Sequence, residues 1–194
     1  TLRKLLEDIP NRFVKEGSVS AASSFNDMVP ALLRCLVPTT STETQRKEAL
    51  SCLNCLIYPM PGSLIANMDN YLAGLSSLAT DTSADVRRLV CQGIVSLLTH
   101  RSEYLQPHIS SIVEFMLRAT SDNDATVALE ACEFWLTFAS LDDEACTRSM
   151  MEALVAIFPQ LLPQLLKGMV YPRDKIEELM EVNALDEANS ASGG

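Results

Sequence analysis

The feature that most constrains the fold of this chain is an internal repeat with a period of 41 residues. Apolar side chains recur at this spacing in three copies, and five such columns are found. The columns are Ala49, Val90 and Ala131; Leu50, Cys91 and Cys132; Leu53, Ile94 and Trp135; Leu56, Leu97 and Phe138; and Ile57, Leu98 and Ala139. Within each copy the apolar positions follow helical spacing, and no run alternates with a period of two. The sequence therefore predicts stacked helical repeats.

The length of the period indicates which kind of helical repeat this is. Two-helix HEAT repeats are about 40–47 residues long, so the prediction is an all-α fold, an α-solenoid of antiparallel HEAT helix pairs. Helices are expected at residues 26–37, 43–57, 64–79, 84–99, 103–119 and 124–140. The predicted segments are the second helix of an incomplete repeat at 1–15, HEAT repeats at 24–58, 62–100 and 102–140, the first helix of a further repeat at 147–171, and an acidic, flexible tail or start of an insertion loop at 172–194.

A polar pattern follows the same register. Arg46 and Arg87 are 41 residues apart, and so are Asp81 and Asp122. In a HEAT stack such residues can form a ladder of ion pairs between adjacent repeats, a contribution that is modest when the pairs are exposed. The expected ladder is partial, because Thr40 stands where a first Asp would be and Ala128 where a third Arg would be.

Composition narrows the range of partners. The chain has 15 Lys and Arg against 25 Asp and Glu, a formal net charge of -10. Such an acidic chain lacks the clustered cations that bind phosphates, so no direct nucleic-acid partner is predicted, and basic protein surfaces are favoured. The longest uncharged run, residues 49–68, contains Pro59, Pro61 and Gly62. It therefore reads as a helix end, a turn and a new helix, and no membrane insertion is predicted. No signal peptide is predicted either, because residues 1–15 carry mixed charge and lack an apolar run.

The motifs of catalysis and metal binding are not found. The sequence has no Gly-rich phosphate loop, GxSxG elbow or HExxH, and His100 and His108 are poorly spaced for a metal site. Glu130 and Glu133 form a carboxylate pair without a neighbouring nucleophile, which favours a solvated helix face. We therefore predict no catalytic residue, no cofactor and no metal. The six cysteines are interpreted as free and mostly buried thiols, with a metal or redox role for the C-x-x-C pair as the alternative: Cys35, Cys52, Cys55, Cys91, Cys132 and Cys146.

Partner binding is expected along the second helices, which line the concave face of a solenoid. The alternative for each charged residue there is a plain solvated helix face. The predicted partner-binding residues are Glu48, Asp85, Arg88, Asp124, Glu130 and Glu133, and a second acidic group in the tail comprises Asp174, Glu177, Glu178, Glu181, Asp186 and Glu187. Trp135, the only tryptophan, lies in a core column, which favours core packing over a pocket for a partner.

Two adjacent stretches carry a resemblance to a known family. They are LQPHISSIVEFMLRATSDND at 105–124 and VALEACEFWLTF at 127–138. Together they resemble the transportin family, the karyopherin-beta nuclear import receptors for PY-type signals. Less specific matches are TLRKLLED at 1–8, DMVPALLRCL at 27–36, ADVRRLVCQGIVSLL at 84–98 and FPQLLPQLLKGMVY at 158–171. The likeness covers about residues 1–171, while residues 173–187 are acidic like the family's insertion but differ from it in sequence.

The resemblance implies a role in transport by binding. It implies an internal piece of the receptor's N-terminal arch, which in the family binds Ran-GTP, while an acidic loop aids release of cargo held mainly by the C-terminal arch. The implied partners are Ran-GTP and nuclear-import cargo proteins, with nucleoporins as further partners, and the implied location is shuttling between cytoplasm and nucleus. The alternatives are a HEAT-repeat scaffold subunit of another complex, and an enzyme with its catalytic elements outside this chain.

Overall fold

A computed structural model describes residues 19–142 and 146–169 of the chain, and every regular element in those two ranges is helical. The α-helices are α1 (Val19–Arg34), α2 (Glu43–Cys55), α3 (Gly62–Ile65), α4 (Met68–Leu78), α5 (Ala84–Arg101), α6 (Ile109–Ala119), α7 (Ala125–Ala139) and α8 (Arg148–Gly168). The prediction of an all-α solenoid is confirmed. The segment predicted at 1–15 and the tail at 172–194 lie outside the described residues.

The helices form two layers, because each helix pair buries one apolar stripe between its members. The second helices α2, α5 and α7 lie side by side, and the closest contact between repeats joins α5 to α7. The first helices α1, α4 and α6 pack on the second helices of their own repeats. The five predicted columns form the core between the layers, with two exceptions. Both exceptions are on α7, where Cys132 is half-buried and Ala139 is exposed.

Two of the second helices begin at side-chain caps. Thr42 and Gln45 form a capping box, in which the Thr42 hydroxyl accepts the Gln45 amide and the Gln45 side chain accepts the Thr42 amide. Asp124 caps α7 by accepting the amides of Thr126 and Val127. These bonds satisfy amide groups that the helix itself leaves without acceptors, so they fix where each second helix starts.

The first helices differ from the sequence prediction. The helix expected at 64–79 is divided into α3 and α4, because the Asn67 side-chain amide donates to the Ser63 carbonyl at 2.8 Å and takes the place of the helical backbone bond. The helix expected at 103–119 begins as two 3-10 turns, Ser102–Tyr104 and Gln106–His108, because Pro107 has no amide hydrogen to donate. Helix α1 starts at Val19, earlier than predicted.

The chain divides into two compact units, residues 1–158 and 159–194, and the boundary falls within α8. In α8, Met150 is buried like Met68 and Ile109, and Ile157 is buried like Leu75 and Met116. Each of these series has a spacing of 41 residues, so α8 continues the first-helix register into a fourth repeat. Among the described residues, α8 is also the one helix long and apolar enough to cross a membrane by length and composition.

Candidate functional site

A ladder of two ion pairs joins consecutive repeats, as the sequence predicts. Arg46 on α2 donates from Nε to Asp81 Oδ2 at 2.7 Å and from Nη2 to Asp81 Oδ1 at 3.1 Å. Arg87 on α5 makes the same two bonds to Asp122, at 2.8 and 2.7 Å. Each pair is therefore bidentate, a geometry that fixes the orientation of both side chains.

Each arginine also holds the turn that precedes its own helix. Arg46 Nη1 donates to the Ser41 carbonyl at 2.9 Å, and Arg87 Nη1 donates to the Asp81 carbonyl at 2.9 Å. The aspartates accept a backbone amide as well, since Asp81 accepts from Ser83 and Asp122 from Asp124. The ladder thus sets the position of one second helix relative to the next.

The ladder residues are held in their charged forms. Burial alone would raise the pKa of Asp81, but hydrogen bonds from Arg46 and the Ser83 amide, with the charges of Arg46 and Arg87, bring that pKa below its usual value. The hydrogen bonds from Arg87 lower the pKa of Asp122 against a smaller opposing effect of burial. Both carboxylates are therefore ionised at neutral pH, and the ladder is complete there.

We name a set of charged and polar side chains on α2, α5 and α7 the second-helix face: Lys47, Glu48, Asp85, Arg88, Gln92, Glu130 and Glu133. Lys47 on α2 forms an ion pair with Asp85 on α5. Gln92 on α5 donates to Glu130 on α7 at 2.9 Å. One polar contact thus joins α2 to α5 and another joins α5 to α7, and these contacts fix the positions of four of its side chains.

The predicted partner-binding residues occupy different environments. Glu48 and Glu133 are exposed, Asp85 is paired with Lys47, and Arg88 is half-buried. Burial raises the pKa of Glu130, against the hydrogen bond from Gln92 and the charge of Arg88. Of the six predicted residues, Asp85 and Glu130 thus bond to a neighbouring repeat, while Glu48 and Glu133 are exposed.

Asp124 has a structural role that the sequence prediction did not assign to it. Its side chain accepts the amides of Thr126 and Val127 and the Thr126 hydroxyl, and the bond from that hydroxyl is 2.6 Å long. These bonds lower the pKa of Asp124, with the side-chain bond from Thr126 as the largest cause. The Asp124 carboxylate thus caps the start of α7. The predicted acidic residues of the tail, at 174–187, lie outside the described residues.

The cysteines and Trp135 are placed in or beside the core. Cys52 and Cys91 are buried, and burial raises the pKa of the Cys91 thiol to about 12, so that thiol is unreactive at neutral pH. Within residues 19–142 and 146–169, no cluster of His, Cys, Asp and Glu could hold a metal ion. Trp135 is buried and its Nε1 donates to Thr120 Oγ1 at 2.8 Å, so the prediction of core packing is confirmed.

A buried polar contact between the first and second repeats was not among the sequence predictions. The Tyr71 hydroxyl donates to Asn54 Oδ1 at 2.6 Å, and Asn54 Nδ2 donates to the Leu89 carbonyl at 2.8 Å. A Cβ at Gly93 would lie 2.6 Å from the Tyr71 hydroxyl oxygen, so only glycine leaves room for the contact. The lone glycine inside α5 was the signal that could have revealed it.

A second missed feature is an uncovered side of α7. Lys47 and Asn54 on α2 bond to α5, and Gln92 on α5 bonds to α7. The side of α2 or α5 that carries these residues is therefore turned toward the following second helix. The side of α7 in the same 41-residue register carries Leu129, Glu133 and Leu136. Leu129 is 65% exposed and Leu136 is 63% exposed. We name these three residues the α7 open side.

Sequence relatives give one consistent indication. The chain is 36% identical over 179 residues to a transportin of Dictyostelium discoideum, covering 92% of the chain and 18% of the relative. It is 44% identical over 126 residues to importin subunit beta-2 of Schizosaccharomyces pombe, covering 65% and 13% respectively. It is 40% identical over 146 residues to transportin-1 of Mus musculus, covering 75% and 15%. The chain thus spans less than a fifth of the length of these curated relatives.

Comparison with solved structures supports the fold alone. A crystal structure of an engineered protein matches 97% of this chain and 91% of its own with a TM-score of 0.51 and 15% identity. A second engineered protein matches 82% of this chain and 75% of its own with a TM-score of 0.50 and 16% identity. Both belong to the helical-repeat class. No protein-family model matches the sequence.

Proposed function

This chain belongs to the transportin and importin beta-2 family, and on that premise we propose that it contributes consecutive HEAT repeats to a nuclear import receptor. Its relatives are transport proteins and not enzymes, and the chain is not an enzyme. The function proposed for it is binding, in a protein that shuttles between cytoplasm and nucleus.

We propose Ran-GTP as the partner of the second-helix face. The observation that carries this proposal is a pair of polar contacts between repeats, Lys47–Asp85 and Gln92–Glu130, which position side chains on three successive second helices. The face has four acidic residues against two basic ones, and the whole chain carries a net charge of -10. Such a surface favours a partner with a basic patch and speeds its association at low salt.

The remaining roles follow the family premise. We propose that PY-type signals of cargo proteins are bound mainly by parts of the receptor outside this chain, with nucleoporins as further partners. The acidic residues of the tail, Asp174, Glu177, Glu178, Glu181, Asp186 and Glu187, are proposed to aid cargo release by competing for a surface that cargo occupies.

The test is a titration of the 194-residue chain with Ran loaded with a non-hydrolysable GTP analogue or with GDP, followed by fluorescence anisotropy. The chain is expected to bind the GTP form in preference to the GDP form. Glu133→Lys is expected to weaken that binding by about three- to fivefold at low salt and by less at high salt, because the lost interaction is between exposed charges. Glu114→Lys is the matched control, since Glu114 is an exposed acid on the first-helix layer.

Two results would count against the proposal. Binding that does not distinguish the two nucleotide states would leave only the shared HEAT architecture and would favour a scaffold of another complex. Equal weakening by Glu133→Lys and Glu114→Lys would show that net charge, rather than the second-helix face, governs the association.

A further inference from the structure

The sides of α2 and α5 that face the next repeat both present hydrogen-bond donors. Lys47 and Asn54 on α2 donate to α5, and Gln92 on α5 donates to Glu130 on α7. The group that receives each bond is a carboxylate or a backbone carbonyl on the following second helix. Both junctions thus run from donor to acceptor in the same direction along the chain.

The α7 open side breaks this pattern. One period after Gln92 stands Glu133, so an acceptor replaces a donor. One period after Arg88 stands Leu129, so an apolar side chain replaces a cation. Leu129, Glu133 and Leu136 have the i, i+4, i+7 spacing of one helix face. This face of α7 is therefore apolar with a single negative charge, unlike the corresponding faces of α2 and α5.

Two core columns extend the exposed apolar surface of α7. Leu50 and Cys91 are fully buried, but Cys132 in the same column is half-buried. Leu98 is buried, but Ala139, one period later, is exposed. With the two leucines of the α7 open side, these α7 residues follow the i, i+3, i+7, i+10 spacing of one helical stripe, which is about 15 Å long at 1.5 Å per residue. A stripe of that length matches a helix of nearly three turns.

A second copy of the chain is poorly matched to this surface. In a symmetric pairing of two α7 open sides, Glu133 at the centre of one would lie near the same residue of the other copy, and like charges repel. The net charge of -10 on each chain adds to that repulsion. A segment with a cation beside an apolar stripe complements both the carboxylate and the two leucines.

We propose that the α7 open side binds a basic amphipathic helix of a protein partner, with apolar residues against Leu129 and Leu136 and a Lys or Arg against Glu133. Binding of an apolar helix face in this way is a common mode of recognition. The bound helix would extend the layer formed by α2, α5 and α7. This inference goes beyond the binding of Ran and does not depend on it.

The test uses two synthetic helical peptides of about 18 residues, each with a stripe of leucines, which differ only in whether Lys or Glu stands beside that stripe. Fluorescence anisotropy measures their binding to the 194-residue chain. The Lys peptide is expected to bind at least about fivefold more tightly than the Glu peptide at low salt, and the ratio should shrink at high salt. Glu133→Lys is expected to reverse the preference.

Leu136→Ala separates this surface from the one proposed for Ran. It is expected to weaken binding of both peptides about five- to tenfold, because it removes apolar contact area. Ran-GTP binding should stay unchanged, because Leu136 is not part of the second-helix face. Leu166→Ala is the matched control, since Leu166 is also an exposed helical leucine, at 54% against 63% for Leu136. It is expected to leave the binding of both peptides unchanged.

Four results would overturn the proposal. Equal affinity for the two peptides would show that Glu133 does not select a cation. Equal weakening by Leu136→Ala and Leu166→Ala would show that the peptides bind to any exposed leucine. No binding of either peptide would show that the α7 open side is closed to an added helix. Self-association in sedimentation experiments that Leu136→Ala abolishes would mean that a second copy of the chain covers this side.

Discussion

Removing Asp81 tests whether the ladder holds the repeats together. Among the two ladder pairs, Arg46–Asp81 is the more buried, with side chains 10% and 2% exposed, against 19% and 13% for Arg87–Asp122. Asp81→Ala leaves the Arg46 guanidinium buried without its counter-charge and also removes the acceptor of the Ser83 amide. Breaking a buried pair in this way costs about 3–5 kcal/mol of unfolding free energy. The less buried pair should lose less when Asp122 is replaced by Ala.

The assay is equilibrium urea denaturation followed by far-UV circular dichroism and by the fluorescence of Trp135. Arg46→Met combined with Asp81→Ala removes both charges, and its cost should fall about 2–3 kcal/mol short of the sum of the single variants, as expected for residues that interact directly. Glu48→Ala, an exposed change on the same helix, should alter the unfolding free energy by less than about 0.5 kcal/mol. The reasoning would be refuted if the losses of unfolding free energy in Arg46→Met and Asp81→Ala simply added up in the double variant. A loss below about 1 kcal/mol for Asp81→Ala would refute it as well.

The ladder also sets a pH dependence. The pKa of Asp81 is lower in the folded chain than its ordinary value of 3.8, so the unfolded chain binds the proton first as the pH falls. The stabilisation is therefore fully present above pH 3.8 and is lost as the pH falls from there through the folded pKa. The difference in unfolding free energy between the unmodified chain and Asp81→Asn should shrink over that interval. A difference that stayed constant down to pH 2 would show that the charge of Asp81 contributes nothing.

Three further predictions concern the core. Gly93→Ala should lower the unfolding free energy by about 1–3 kcal/mol, because the new Cβ would lie 2.6 Å from the Tyr71 hydroxyl oxygen. Gly62→Ala is the control in the same urea assay: its new Cβ would have nothing within 4 Å, so the change should be neutral or slightly stabilising. Tyr71→Phe should lower the unfolding free energy by about 1–2 kcal/mol, because Asn54 Oδ1 loses the hydroxyl that donates to it. An unfolding temperature, measured by calorimetry, equal to that of the unmodified chain would contradict this. Cys91 should resist labelling by a thiol reagent at pH 8 until urea unfolds the chain, because burial raises its pKa to about 12. Peptide mapping of the labelled protein checks this, and label on Cys91 in the folded chain would contradict it.

The amino-acid sequence by itself determined the class of fold, the repeat length and most of the core. Apolar residues at helical spacing require a buried stripe on each helix, and a strict 41-residue period requires that each repeat bury that stripe in the same way. The Arg46–Asp81 and Arg87–Asp122 pairs were also predictable, because a charged pair repeated in register implies a repeated contact.

The tertiary structure alone decided which polar residues are used for structure and which remain exposed. Asp124 looked like a candidate for partner binding but caps α7, and Glu130 is half-buried against Gln92. The α7 open side was likewise invisible in the sequence, and the Tyr71–Asn54 contact left only the glycine at position 93 as a sign. Exposure and hydrogen bonding of a helical residue depend on side chains one repeat away, and local spacing carries no information about whether that neighbour is present or which rotamer reaches it.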